Sequence, residues 1–112
     1  MRTTNKYHNI KSIYNGVVYD SRKEAKRAFE LNMLQRANEI SNLQRQVKFE
    51  LQPAYTTKDG RKIQAIFYVA DFVYKINGIQ VVEDVKGVRT EVYRLKRKLF
   101  EYKYKDYKFI ET

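Results

Sequence analysis

Apolar residues along this chain recur at every second position, then at helical spacing, then at every second position again, and each change of period marks an element. Ser12-Ile-Tyr-Asn-Gly-Val-Val-Tyr19 reads as a hairpin turned at Asn15-Gly16, because Asn-Gly supplies the positive φ angles of a two-residue type I′ turn. Asp20 and Ser21 follow as candidate N-caps. Ser21-Arg-Lys-Glu24 has the capping-box form, in which a glutamate three residues on reaches back to the cap amide. Ala25, Ala28, Phe29, Leu31, Met33, Leu34 and Ala37 then lay out the apolar face of a helix that ends near Asn38. Gln46 to Gln52 alternates as a strand with one buried face should, and Pro53 ends it or marks an edge. Lys58-Asp-Gly60 is a turn, and Lys62 to Tyr74 reads as one long strand with room for a bulge.

The most informative stretch is Tyr68 to Lys86, two β-rich runs joined by Asn77-Gly78. Counting outward from that turn pairs Ile76 with Ile79, Lys75 with Gln80, Tyr74 with Val81, Val73 with Val82, Phe72 with Glu83 and Asp71 with Asp84. Side chains alternate faces with period two, so Asp71, Asp84 and Lys86 are expected on one face and Glu83 on the other. Around Asp71 the strand is apolar on both sides. Phe67, Val69 and Val73 share its face and Tyr68, Ala70, Phe72 and Tyr74 take the other, as in a strand central to its sheet. Gly87 ends the second run, and Thr90 caps a helix to Lys103 on which Val92, Leu95, Leu99 and Tyr102 form one apolar stripe. Arg94, Arg97 and Lys98 are displaced from that stripe, with Lys96 at its margin, and Tyr107 to Ile110 closes the chain as a short strand. The elements add up to an α/β (α+β) protein, a mixed central sheet flanked by helices.

Size and charge then narrow the partners. A chain of 112 residues has room for one domain with a modest core. Residues 1–11, with Arg2, Lys6, His8 and Lys11, read as a flexible basic arm ahead of a single domain over residues 12–112. Such an arm is either a phosphate contact or a frayed end. Lys and Arg number 23 against 13 Asp and Glu, a net charge of +10. The partner expected is therefore a polyanion, with nucleic acid first. There is no cysteine, hence no disulfide framework and no thiolate zinc site, and the single histidine, His8, has no second histidine beside it. No segment reaches transmembrane length or pairs a long apolar face with a basic one, so no membrane partner is expected. The polar start, Met1 to Lys6, lacks the apolar core of a signal peptide, and a cytoplasmic location is expected.

Two carboxylates facing each other across a hairpin, with a lysine two residues beyond the second, can hold a hard divalent cation such as magnesium together with a substrate phosphate. The backbone carbonyl of Val85 is a further oxygen ligand, and Lys86 can orient a water or stabilise developing charge. Glu24 has two readings: a capping-box partner only, or a first-turn acid pointing at the sheet and joining the site. The plain alternative for the trio is an exposed salt bridge of Lys86. Like charges directly opposite across a strand pair destabilise a sheet, so stability alone does not select Asp71 facing Asp84. The cations of the last helix are either a solvated face or, standing just past this constellation, a phosphate-binding surface.

Asp71 followed by Asp84-Val-Lys86 on the paired strand, with Glu24 on the preceding helix, resembles the PD-(D/E)XK nuclease superfamily. More closely, Asn5-Lys-Tyr-His-Asn9, Asp20-Ser-Arg-Lys-Glu-Ala25, Ala70-Asp-Phe72 and Val82-Glu-Asp-Val-Lys-Gly87 look like a group of small phage-encoded proteins placed in that superfamily. So do Thr90, Tyr93, Lys96 and Lys98 after them. Ala70 stands where the superfamily's proline would precede the acid. The resemblance implies a restriction-endonuclease-like core and Mg2+- or Mn2+-dependent hydrolysis of DNA. Asp71, Asp84 and Glu24 would serve the metal, and Lys86 would position the nucleophile. Arg94, Lys96, Arg97, Lys98, Thr90, Tyr93, Lys6 and Lys11 would contact DNA. It further implies a homodimer acting on double-stranded or branched DNA, such as a Holliday junction. The rival expectation is a non-catalytic nucleic-acid-binding protein on a degenerate nuclease fold.

Overall fold

In the computed structural model, which describes residues 11–85 and 89–112, both Asn-Gly pairs turn with left-handed backbone: φ is 53° and 78° at Asn15 and Gly16, and 51° and 78° at Asn77 and Gly78. The first pair joins β1 (Ser12–Tyr14) to β2 (Val17–Tyr19). Helix α1 (Arg22–Arg36) starts where Ser21 Oγ accepts the Glu24 N–H at 3.1 Å. Strand β3 (Ser41–Gln52) begins well ahead of the run from Gln46 that alternation marks, because Asn42 and Gln46 each have a φ of 55° and interrupt its period. The small hairpin β4 (Tyr55–Thr56) and β5 (Lys62–Ile63) closes around Lys58 to Gly60, and β6 (Ile66–Ile76) starts after a break. The single strand expected from Lys62 to Tyr74 is thus two. Then come β7 (Ile79–Asp84), α2 (Glu91–Lys103) and β8 (Lys108–Glu111).

The main sheet has the order β3-β6-β7-β8, with β6 antiparallel to both neighbours and β8 parallel to β7 after the crossover through α2. The protein is therefore mixed α+β, and β6 is a central strand as its two apolar faces indicate. Five of the hairpin pairs are formed in the expected register, from Ile76↔Ile79 to Phe72↔Glu83. On one face α1 and the first hairpin bury Tyr19, Ala25, Ala28, Leu31, Phe72, Tyr74 and Val81. On the other, α2 closes over Phe49, Tyr68, Ala70, Val73, Val82 and Phe100.

Three expectations about faces are corrected. Tyr68 and Ala70 lie under α2 but Phe72 and Tyr74 under α1, so strict alternation along β6 fails at Asp71. The neighbouring strand breaks at the matching place: Arg45 pairs with Phe72 and Val47 with Ala70, whereas Gln46 between them is in the left-handed region. Both chains change facing there, and Phe67 and Val69 beyond the break are substantially exposed. Second, only Ala25, Ala28 and Leu31 of the wider apolar face of α1 are fully buried, while Phe29 and Met33 remain about half exposed. Third, α2 is rotated from the expected stripe. Val92, Leu95, Leu99 and Tyr102 are 63%, 58%, 41% and 74% exposed, and Tyr93 and Phe100 are buried instead. An aromatic cluster decides this, with Phe100 at 4.9 Å from Phe49, 5.3 Å from Tyr68 and 5.1 Å from Tyr104. Each such ring buries more surface than an aliphatic side chain.

Candidate metal and nucleic-acid site

Asp84 ends β7 and is fully buried on the α2 side of the sheet, where the Tyr68 hydroxyl donates to its Oδ2. Asp71, at the point where β6 changes facing, is half-buried and near enough to Asp84 to feel its charge; its own Oδ2 accepts the Val85 N–H at 2.8 Å. The two acids counted opposite each other from the turn are thus neighbours, although the ladder itself ends at Phe72↔Glu83. Their proximity owes as much to the break at Asp71 as to the pleat. Glu83, adjacent in sequence, points the other way. It lies buried under α1, where Arg27 Nη2 donates to it at 3.0 Å, Tyr74 Oη at 2.7 Å and Thr112 Oγ1 at 2.9 Å. That acid is a structural anchor, and its charge is met by Arg27, whose own pKa is raised chiefly by this hydrogen bond.

Glu24 is buried in the first turn of α1, on the side facing the sheet. Gln46 Nε2 donates to Glu24 Oε1 at 3.4 Å and to Asp71 Oδ1 at 3.3 Å, so one amide joins the helix acid to the strand acid. Arg45 Nη2 stands 3.9 Å from Glu24 Oε1 while its guanidinium lies 4.5 Å from the centre of the Tyr19 ring. Gln46, Arg45 and Tyr68 are site residues that no motif marks. Gln46 and Arg45 sit on a strand read only as alternating, and the one available signal for Tyr68 was its place three residues before Asp71.

Burial first, then the Asp84 charge and its hydrogen bond, push Asp71 up to about 7; the Val85 N–H pulls the other way, and Glu24 adds to the rise. The Tyr68 phenol is pushed far up for the same two reasons, burial and Asp84. The hard oxygen donors of this carboxylate pair suit a divalent cation of the magnesium type held by two carboxylates. Among the described residues no three acids or histidines form a ready-made cage. The fit is therefore to a cation held by Asp71 and Asp84, with Glu24 one amide away across Gln46.

The candidate DNA-contact residues divide. Lys6 and Lys86 lie outside the described residues, as does His8. Lys11, Arg94 and Lys98 are exposed and Lys96 half so. Arg97 is turned inward, at 3.0 Å from Glu101 and 3.1 Å from Glu111 and over the Phe109 ring at 4.4 Å, so it ties α2 to β8. Tyr93 is buried with its hydroxyl on Glu111, and Thr90 Oγ1 caps α2 by accepting the Tyr93 N–H at 3.1 Å. No described helix is long and apolar enough to cross a membrane. No curated protein matches the chain. Residues 4–111, nearly its whole length, match the family described as "Protein of unknown function (DUF1064)", and the protein belongs to that family.

Proposed function

We propose that this protein is a divalent-metal-dependent DNA endonuclease of the PD-(D/E)XK type, acting as a homodimer on double-stranded or branched phage DNA. The observation that carries this reading is the Asp71–Asp84 pair: a buried carboxylate held by Tyr68 and a half-buried one held by the Val85 N–H are neighbours at the open end of the hairpin, and a cation-binding task accounts for the arrangement. A hard divalent cation there supplies Lewis-acid neutralisation of charge developing on a phosphodiester. Asp71 and Asp84 hold it, Tyr68 fixes the orientation of Asp84, and Gln46 keeps Glu24 and Asp71 at a set separation. Lys86 is assigned the nucleophile-positioning role by its spacing from Asp84. The excess of 23 basic residues over 13 acidic ones supplies the attraction to DNA, through Arg94, Lys96 and Lys98 on α2 and Lys11 and Lys6 at the N-terminus.

The test is cleavage of supercoiled plasmid and of a synthetic four-way junction in magnesium, manganese or chelator, beside Asp84→Ala, Lys86→Ala and Glu83→Gln. Loss of cleavage in the first two, with metal dependence, is expected. Glu83→Gln is expected to lower stability and to cut at near wild-type rate per folded molecule. A second reading, DNA binding without catalysis, is favoured by the lack of a ready-made three-acid cluster among the described residues. Binding without cleavage under every metal condition would establish it.

A further inference from the structure

A cleft of about 200 Å³ lies between the first hairpin, α1 and β3. Tyr14 gives it a partly exposed aromatic wall above a floor that includes buried Tyr19 and Phe72, and Asn32, Gln44 and Arg45 give it a polar rim. The described residues lining it include no acid. Tyr14 is half-buried and meets Phe29 edge-on at 5.7 Å, which fixes its ring; its centroid is 6.5 Å from that of Tyr19. A flat aromatic wall beside amide donors and acceptors and a guanidinium is the chemistry by which proteins hold an unstacked base, with the ring for its face and the amides for its edge.

The cleft's position relative to the acids gives it meaning. Glu24, Ala28 and Asn32 lie successively along one side of α1, Glu24 at the carboxylate site and the other two lining the cleft. At ~1.5 Å per residue the cleft therefore starts about 6 Å from Glu24 and reaches about 12 Å, a span of roughly two to four stacked nucleotides at ~3.4 Å each. Arg45 stands between, within 3.9 Å of Glu24 and stacked on Tyr19, where a backbone phosphate joining that base to the acids would pass. We propose that this cleft receives an unpaired nucleobase of a DNA strand and thereby selects DNA with unpaired bases for the neighbouring carboxylate site. The inference deepens the nuclease reading by naming what the site selects, and it is tested without cleavage.

The probe is a DNA duplex carrying one bulged 2-aminopurine, compared with the same duplex fully paired, both in chelator. Wild type is expected to bind the bulged DNA about ten-fold more tightly, within the range of one base–aromatic stack, and to quench the 2-aminopurine fluorescence. Tyr14→Ala, which removes a wall, and Asn32→Trp, which fills the mouth, are each expected to bring the ratio of the two affinities towards one. Equal binding of both DNAs by wild type overturns the proposal without recourse to any variant. So does a folded Asn32→Trp that keeps both the preference and the quenching. If the preference behaves as expected while no substrate is cut under any metal condition, the nuclease reading fails and the base-binding cleft stands.

Discussion

Replacing Asp71 by asparagine should stabilise the metal-free protein above neutral pH, although it removes a side chain central to the proposed site. Asparagine is nearly isosteric, its Oδ1 can still accept the Val85 N–H, and its uncharged amide removes the repulsion with Asp84 at the loss of the long hydrogen bond from Gln46. Asp71 lies at about 7 against an ordinary 3.8, a difference worth at most about 4 kcal/mol at ~1.36 kcal/mol per unit. Half-burial and coupling to Asp84 bring the expected effect to the order of 2 kcal/mol. Because the folded state holds this proton more tightly than the unfolded chain, the associated stability is present below about pH 4 and lost as pH rises through about 7. Glu111, held low chiefly by its hydrogen bond from Tyr93, and Asp59, held low chiefly by Thr57, act below that window and with the opposite sign. In chelator, wild-type Tm should therefore fall between pH 5 and pH 8, and Asp71→Asn should follow a flatter profile, ending higher at pH 8 by on the order of 10 °C. Magnesium should restore the wild type and do much less for the variant, since a ligand stabilises only the state that binds it. The assay is thermal unfolding by circular dichroism across that range. A flat wild-type profile, with Asp71→Asn no more stable at pH 8, refutes the charge-repulsion argument.

Arg27→Met should leave buried Glu83 without its cation and destabilise the fold by about 3–5 kcal/mol in denaturant titration. Phe100→Ala, in the middle of the aromatic cluster, should cost about 3–5 kcal/mol, whereas Leu95→Ser on the exposed stripe of α2 should stay within about 0.5 kcal/mol; equal effects would mean that the helix is rotated otherwise. Arg94→Ala and Lys98→Ala should each weaken DNA binding and reduce the slope of log K against log salt by about 1. Arg97→Ala, whose charge is already met by Glu101 and Glu111, should instead lower thermal stability more than the salt slope.

What the sequence made legible was whatever local chemistry decides. Asn-Gly leaves few alternatives for a two-residue turn, and once the turn is placed the register of β6 on β7 follows by counting; the same local reasoning located both helix caps. The orientation of α2 was not legible, because the chain offers two stripes at helical spacing. Val92, Leu95, Leu99 and Tyr102 form one, and Tyr93, Arg97, Phe100 and Tyr104 the other. Periodicity cannot choose between them, and contacts with Phe49, Tyr68 and Phe109, distant in sequence, select the aromatic one. The change of facing at Gln46 and Asp71 was hidden for a related reason. A left-handed glutamine has no composition signal, and its cost is met by the sheet on either side of it.

The adjacent acids Glu83 and Asp84 show what that division between local and distant information does to function. They have the same charge and neighbouring positions, and composition treats them alike. The pleat sends Glu83 under α1, where Arg27, Tyr74 and Thr112 satisfy it, and sends Asp84 to the other face, beside Asp71. A carboxylate supplied with a guanidinium and two hydroxyl donors needs nothing further. A buried carboxylate set beside a second carboxylate, with a phenol donating to it, offers hard oxygen atoms of the kind a divalent cation takes. The register of one hairpin thus assigns one acid to stability and leaves the other for the proposed metal site, and an exchange of the two residues would be expected to cost both.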